Sequence, residues 1–332
     1  MPELRQNLAN KEWVIIATER ARRPEEFHQG VRTKPVLPER SPDCPFCPGN
    51  EAACGTEHFS LGKPDWRVRV VANKFPALVP DPPPAPPHTG LYRHLPGEGI
   101  HEVIIDSPSH AKHPALLDEA ARRDLFLAYR ERFRAAAKDP KVALTQLFKN
   151  HGEGAGTSLV HPHSQLIGSS VVPAGVRHRM DEAQKYHYKH KVCVFCAMAE
   201  EERRLKVRIL ADTPHFTAFV LFAALSPFHI WVLPKRHTAT FGDSTDSELD
   251  DLSQVMGSLL RRVDRGLGDP DYNYLIQSSP QDRGETDAFH WYLSLIVRLT
   301  RTAGFELGSG MYVNTSLPEE SARFLNGIPD GA

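Results

Sequence analysis

Two Cys-x-x-Cys pairs, Cys44-Pro45-Phe46-Cys47 and Cys193-Val194-Phe195-Cys196, are each followed by the same succession of elements. That repetition restricts the fold more than any other feature of the chain. After the first pair, the apolar run Glu102-Val103-Ile104-Ile105-Asp106 leads to His110, then an amphipathic segment and a short strand, then a second strand opening at His161. After the second pair, Ile230-Trp231-Val232-Leu233 leads to His237, and a helix, a strand and His290 follow in the same order. His110 and His161 stand 51 residues apart, His237 and His290 53. The chain therefore reads as a duplicated unit whose halves each gather two thiolates and two imidazoles. Two cysteines separated by two residues can aim both sulfurs at one ion, and two distant imidazoles complete a tetrahedral set suited to zinc. The sets are Cys44, Cys47, His110 and His161, and Cys193, Cys196, His237 and His290. Spacing alone leaves His113 level with His110 in the first. With all four positions filled by protein, such a site is closed and structural.

At 332 residues the chain is long enough for two domains of ordinary size. The halves are read as 1–174 and 192–332, joined by the basic, His- and Tyr-rich segment 175–191, helical or irregular. A net charge of −1 argues against an electrostatic footprint for nucleic acid. Five cysteines, four of them assigned to metal, suit a reducing compartment, with Cys54 buried and inert. The opening Met1-Pro2-Glu3-Leu4-Arg5-Gln6 lacks a basic-then-apolar layout, so a cytoplasmic protein is expected. The most apolar stretch, Phe216 to Leu233, is broken by Ser226-Pro227 and reads as two buried strands around a turn, not a membrane span.

Strands are expected at Trp13–Ala17, Trp66–Val71, Val142–Phe148 and Tyr272–Ile276, with Pro80–Pro87 a stiff surface loop. A helix starting near Asp118 buries Leu125, Tyr129, Phe133 and Ala136. Its counterpart, capped at Asp246 or Ser247, buries Leu249, Leu252, Met256, Leu259 and Val263. Each half is thus strand-rich with one main helix on a sheet, an α+β arrangement.

The densest polar constellation is Asn150-His151-Gly152-Glu153-Gly154-Ala155-Gly156-Thr157-Ser158, followed by His161-Pro162-His163-Ser164-Gln165. Alternation on a strand puts His161, His163 and Gln165 on one face. Gly152, Gly154 and Gly156 let a backbone approach an anionic group. His161-Pro162-His163-Ser164-Gln165 resembles the active-site motif of galactose-1-phosphate uridylyltransferases, a branch of the histidine triad superfamily. The likeness extends through Arg20–Pro24, Cys44–Cys47, Asn73–Ala77, Ser107–His110, Gly304–Gly308 and Met311–Asn314. The second half, with His290-Trp291-Tyr292, is more similar to relatives that act on ADP-sugars.

This resemblance implies two histidine-triad-like units with a mainly antiparallel sheet, two structural zinc ions per chain with His110 preferred over His113, and a homodimer. It implies a double displacement in which His163 attacks the α-phosphorus of a nucleotide sugar and releases a sugar 1-phosphate. A phosphate-bearing acceptor then takes the nucleotidyl group from the imidazole. The backbone of His161 would hold the reactive tautomer, and Gln165 would bond a phosphoryl oxygen. Asn73, Phe75, Asn150, Gly156, Ser158 and Ser164 would serve the substrate. The reaction expected first is UMP exchange between UDP-glucose and galactose 1-phosphate. An ADP-glucose phosphorylase or adenylyltransferase is the alternative, favoured by Ser164 and the second Cys-x-x-Cys. A non-catalytic zinc scaffold and a dinucleoside hydrolase are weaker readings, since Gln165 replaces the third histidine that hydrolases use.

Overall fold

The computed structural model describes residues 1–17, 36–86, 90–281 and 286–330. The Arg20–Pro24 motif and the end of the proline loop at Pro87 lie outside them. Ten strands form one antiparallel sheet, and its order displays the duplication. The first half contributes β3 (Glu57–Leu61), β4 (Val68–Ala72), β5 (Gly99–Ile105), β6 (Leu144–His151) and β7 (His163–Ser169). The second contributes β8 (Ile209–Asp212), β9 (Phe216–Val220), β10 (Ile230–Pro234), β11 (Tyr272–Gln277) and β12 (Tyr292–Val297). The order β3-β4-β5-β7-β6-β11-β12-β10-β9-β8 is a palindrome of equivalents, and β6 and β11 pair at its centre. A separate small sheet joins β1 (Glu3–Gln6), β2 (Trp13–Ile16) and β13 (Tyr312–Asn314). The α+β reading therefore holds, although the halves share one sheet and one continuous apolar core.

Helix α1 (Glu119–Ala137) crosses from β5 to β6, as α4 (Asp246–Leu267) does from β10 to β11. Their apolar stripes are those read from the sequence, and all the residues named for them are buried. Asp118 caps α1 through the amide of Ala121. The cap of α4 is Thr245, just before the expected Asp246 or Ser247, because Thr245 and Glu248 form a reciprocal capping box. Segment 175–191 is almost wholly helix α2 (Ala174–His190), followed by α3 (Val194–Leu205), which opens directly after Cys193. Short helices α5 (Gly304–Ser309) and α6 (Pro318–Gly327) complete the chain. Among the described residues no helix is long and apolar enough to cross a membrane. Cys54 is half-buried rather than buried; its thiol donates to Pro45 O, and burial raises its pKa.

The two long helices pack side by side through a close approach at Gly257. Buried Arg122 of α1 donates from Nε to Ser253 O at 3.2 Å and from Nη1 to Leu117 O, which lays its guanidinium over Gly257. A Cβ at Gly257 would lie 2.5 Å from the guanidinium carbon. Alanine raises helix propensity by up to ~1 kcal/mol over glycine, whereas overpacking costs about 1–3 kcal/mol. Gly257→Ala is therefore expected to lower the melting temperature; a rise would show that the helices are not held by this contact.

Candidate active site and metal centres

The sheet has two unlike faces in its first half. Alternation sends Leu147, Lys149 and His151 of β6, and Ser164 and Leu166 of β7, toward the helices. It sends Asn150, His163 and Gln165 to the opposite face. Strand β7 begins at His163, not His161. His161 and Pro162 form the approach to it, which lets the two histidines turn to different tasks. His161, fully buried, aims Nδ1 at Cys44 Sγ (3.7 Å) and Cys47 Sγ (3.6 Å), while its Nε2 bonds Ser107 O at 2.9 Å. His110 Nδ1 lies 3.5 Å from Cys47 Sγ. These four residues offer ligand atoms within 4.8 Å of one another, as do Cys193, Cys196, His237 and His290. Both expected tetrads therefore assemble, and their donors fit zinc. The Nε2–H bond to a carbonyl fixes the tautomer that presents Nδ1 to an ion.

His113 is excluded from the first tetrad. It turns to the other side of its loop, its ring 4.6 Å from that of His151. The second tetrad is less enclosed, with His237 exposed and Cys196 half-buried. Hydrogen bonding from Cys193, and then the imidazoles of His237 and His290, hold the Cys196 thiol well below its usual pKa.

His163 Nδ1 is 2.9 Å from the backbone carbonyl of His161. The carbonyl can only accept, so the proton is on Nδ1 and Nε2 keeps its lone pair. Phe46, inside the first Cys-x-x-Cys, packs edge-on against this ring with centroids 5.3 Å apart. Burial lowers the pKa of the imidazole, so it is neutral near pH 7. Gln165 is positioned by a residue that the sequence reading missed. His101 of β5 accepts from Ala77 N at Nδ1 (2.9 Å), which places its proton on Nε2, 2.8 Å from Gln165 Oε1. The Gln165 oxygen is thereby engaged, and its amide hydrogens are left to donate. Asn73 is held beside His101 by its backbone amide, which donates to His101 O at 2.9 Å, and its Oδ1 accepts from the amide of exposed Phe75. Alternation along β5 from Val103, which pairs with Gln165, could have found His101.

Other residues of the motif sit differently from expectation. Ser164 is fully buried on the helix side, bonded to Asp106 Oδ1 (2.8 Å) and Tyr129 Oη (2.5 Å). Its alternation with His163 turns it to the opposite face of the sheet from His163 and Gln165, where it supports the strand. In the glycine loop, Gly154 N donates to Asp271 Oδ2 at 2.6 Å, and a Cβ on Gly152 would lie 1.8 Å from Asp271 Oδ1. The anion these glycines approach is thus the protein's own carboxylate. Gly156, left-handed at φ +89°, and exposed Ser158 lie at the loop's outer edge. Asn150 Oδ1 accepts from Asn273 of the second half at 2.8 Å.

Behind strand β7, Lys149 Nζ bonds Asp106 Oδ2 at 2.5 Å and His163 O at 3.0 Å, all within the core. Removing one partner of a buried ion pair costs about 3–5 kcal/mol, because the other charge is stranded. Lys149→Met is therefore expected to lower stability by that order, read from chemical denaturation. A variant as stable as wild type would mean that Asp106 is not held as a charge.

The second half repeats this plan with altered chemistry. Tyr292 stands where His163 stands, and Phe195 stacks on it at 5.3 Å, as Phe46 packs on His163. Trp231 adds a third ring at 4.2 Å, so the pseudo-site is filled with aromatic side chains.

The chain matches the family model for the galactose-1-phosphate uridyl transferase N-terminal domain over residues 1–173, and that for the C-terminal domain over residues 179–315. It is 34% identical to an ADP-glucose phosphorylase of Arabidopsis thaliana, covering 98% of this chain and 93% of that protein. It is 30% identical to a galactose-1-phosphate uridylyltransferase of Haemophilus influenzae, covering 88% and 82%. The crystal structure of an Arabidopsis thaliana ADP-glucose phosphorylase with bound ADP-glucose superposes with a TM-score of 0.84 at 31% identity, covering 99% of each chain. A uridylyltransferase structure gives 0.78 at 26% identity, covering 99% and 98%. Palindromic sheet, paired tetrads and an extensive likeness thus agree that this chain belongs to the galactose-1-phosphate uridylyltransferase family, as a nucleotidyltransferase or phosphorylase.

Proposed function

We propose that the chain transfers the nucleotidyl group of an ADP-sugar to inorganic phosphate through a covalent adduct on His163. The observation that carries this reading is the 2.9 Å contact between His163 Nδ1 and His161 O, which leaves Nε2 as the nucleophile. In the first step the Nε2 lone pair attacks the α-phosphorus, and the bond to the bridging oxygen breaks toward sugar 1-phosphate. Nδ1 keeps its proton throughout. The adduct ring therefore carries a positive charge, which the His161 carbonyl stabilises. In the second step an oxygen of phosphate attacks the same phosphorus, ADP leaves and the neutral imidazole returns. The sugar 1-phosphate departs as an anion that needs little protonation, so an amide suffices where a hydrolase would place an acid. Gln165 would donate to a non-bridging oxygen as charge builds on it.

Zinc, when bound by each tetrad, supplies structure: at the first it would fix His161, and with it the carbonyl that aims His163. Asn150, Gly156 and Ser158 are assigned to the nucleotide phosphates, and Asn73 and Phe75 to the nucleoside. The adenine donor is favoured over uridine by the likeness to ADP-glucose phosphorylase and by the Cys-x-x-Cys in each half. The uridylyltransferase relatives support the second reading, UMP exchange between UDP-glucose and galactose 1-phosphate.

Radiolabelled ADP-glucose and UDP-glucose, offered separately without acceptor, distinguish these readings. The ADP-sugar is expected to leave about one acid-labile phosphoramidate per chain on His163. Phosphate should then discharge it as ADP, and His163→Asn should form none. Labelling by UDP-glucose alone would establish the uridylyl reading; no label from either would contradict both. Thiol modification is expected to release about two zinc ions per chain, one from each tetrad.

A further inference from the structure

We propose that His113, His151, Asp264 and Asp269 form a third metal site, for a divalent transition cation, that clasps the two halves together behind the reactive strand. His113 comes from the loop that carries His110, and His151 from the last position of β6. Asp264 belongs to the last turn of α4, and Asp269 follows its Gly268 cap. His113, His151 and Asp269 offer ligand atoms within 4.8 Å of one another. His151 Nε2 is 2.6 Å from Asp269 Oδ1, and His113 Nε2 is 3.7 Å from Asp264 Oδ1 and 3.8 Å from Asp269 Oδ1. Two imidazoles with two carboxylates suit zinc, manganese or ferrous iron better than calcium or magnesium, which prefer oxygen alone.

Two further observations ask for positive charge here. The C-terminal end of a 22-residue helix carries the negative pole of its dipole, where cations are favoured and carboxylates are not. This chain places two carboxylates there, the second on a residue in the left-handed region at φ +53°. The phenol of Tyr272 stacks on His151 with centroids 4.6 Å apart and an interplanar angle of 23°. Its hydroxyl is buried and has no hydrogen-bond partner among the described residues. Burial, and then the charges of neighbours that include Asp269 and Asp264, keep it protonated. A hydrated cation among these groups would offset the clustered carboxylates, and its bound water would donate to the phenol oxygen.

The test starts from full-length protein with both Cys/His tetrads loaded. Equilibrium dialysis against micromolar free zinc is expected to add one ion per chain, which thiol modification does not release. Cobalt taken up in its place should show d–d absorption without a thiolate charge-transfer band. His113→Gln and Asp264→Asn should each weaken this uptake at least ~10-fold, with thiol-releasable zinc unchanged as the check of folding. The wild type should also gain several degrees of melting temperature from the added ion, and the variants little. Failure of the wild type to take up a third ion would overturn the proposal. So would uptake that persists undiminished in both variants, which would mark an adventitious surface ion.

Discussion

The contact between the His161 carbonyl and His163 Nδ1 depends on three layers of structure, and the proposed chemistry depends on the contact. An imidazole has two nitrogens, and only the one without a proton can attack phosphorus. The carbonyl selects the tautomer, while the side chain of the same residue points into the Cys44–Cys47–His110 cluster. Ser107 O takes the remaining nitrogen of His161, so the ring has no spare orientation. From behind, Lys149 grips the carbonyl of His163 itself and is anchored on Asp106. Phe46 closes over the His163 ring from within the Cys-x-x-Cys turn. Thiolates, carbonyls and a buried ion pair thus converge on the angle of a single side chain.

Duplication explains the architecture, and divergence distinguishes the half that carries the proposed chemistry. Both halves keep the thiolate pair, the two imidazoles, the aromatic residue between the cysteines and the strand on which the motif sits. In the second half Tyr292 stands at the position equivalent to His163, and Trp231 and Phe195 fill the space beside it. Helix α2 lies across that face as well, with Arg179 bonded to Gln277 at 2.7 Å. In the first half, Asn150 accepts a bond from Asn273 of the second half across the central β6–β11 pairing. The shared sheet therefore makes the halves one working unit.

Much of this was legible in the residues because it rested on spacing. Repeated Cys-x-x-Cys pairs with histidines at matched distances pointed to both tetrads, leaving only His110 and His113 level in the first, and apolar periodicity located α1 and α4. Alternation around His163 foretold that His163 and Gln165 share one face, and it also puts the next residue on the other. Ser164, one residue on, had to face the core, where Asp106 and Tyr129 hold it. The strand boundary at His161 was misjudged by two residues, because a histidine that must reach a cluster of sulfurs cannot also sit in register on the sheet. Lys149 was passed over in an apolar run, although a lysine at a core-facing position requires a buried partner. The glycine loop looked like a cradle for a substrate anion. Only three dimensions showed that Asp271, more than a hundred residues away, already lies against it.

The central claim is that a metal-held backbone carbonyl sets the protonation pattern of His163. Long-range proton–nitrogen correlation spectra of the imidazoles measure that pattern directly. The zinc-loaded protein is predicted to show His163 as the neutral tautomer protonated at Nδ1, with a pyridine-like Nε2. Stripping zinc should collapse this into a mixture of tautomers. A His163 protonated at Nε2 in the loaded protein, or one indifferent to zinc, would contradict the account.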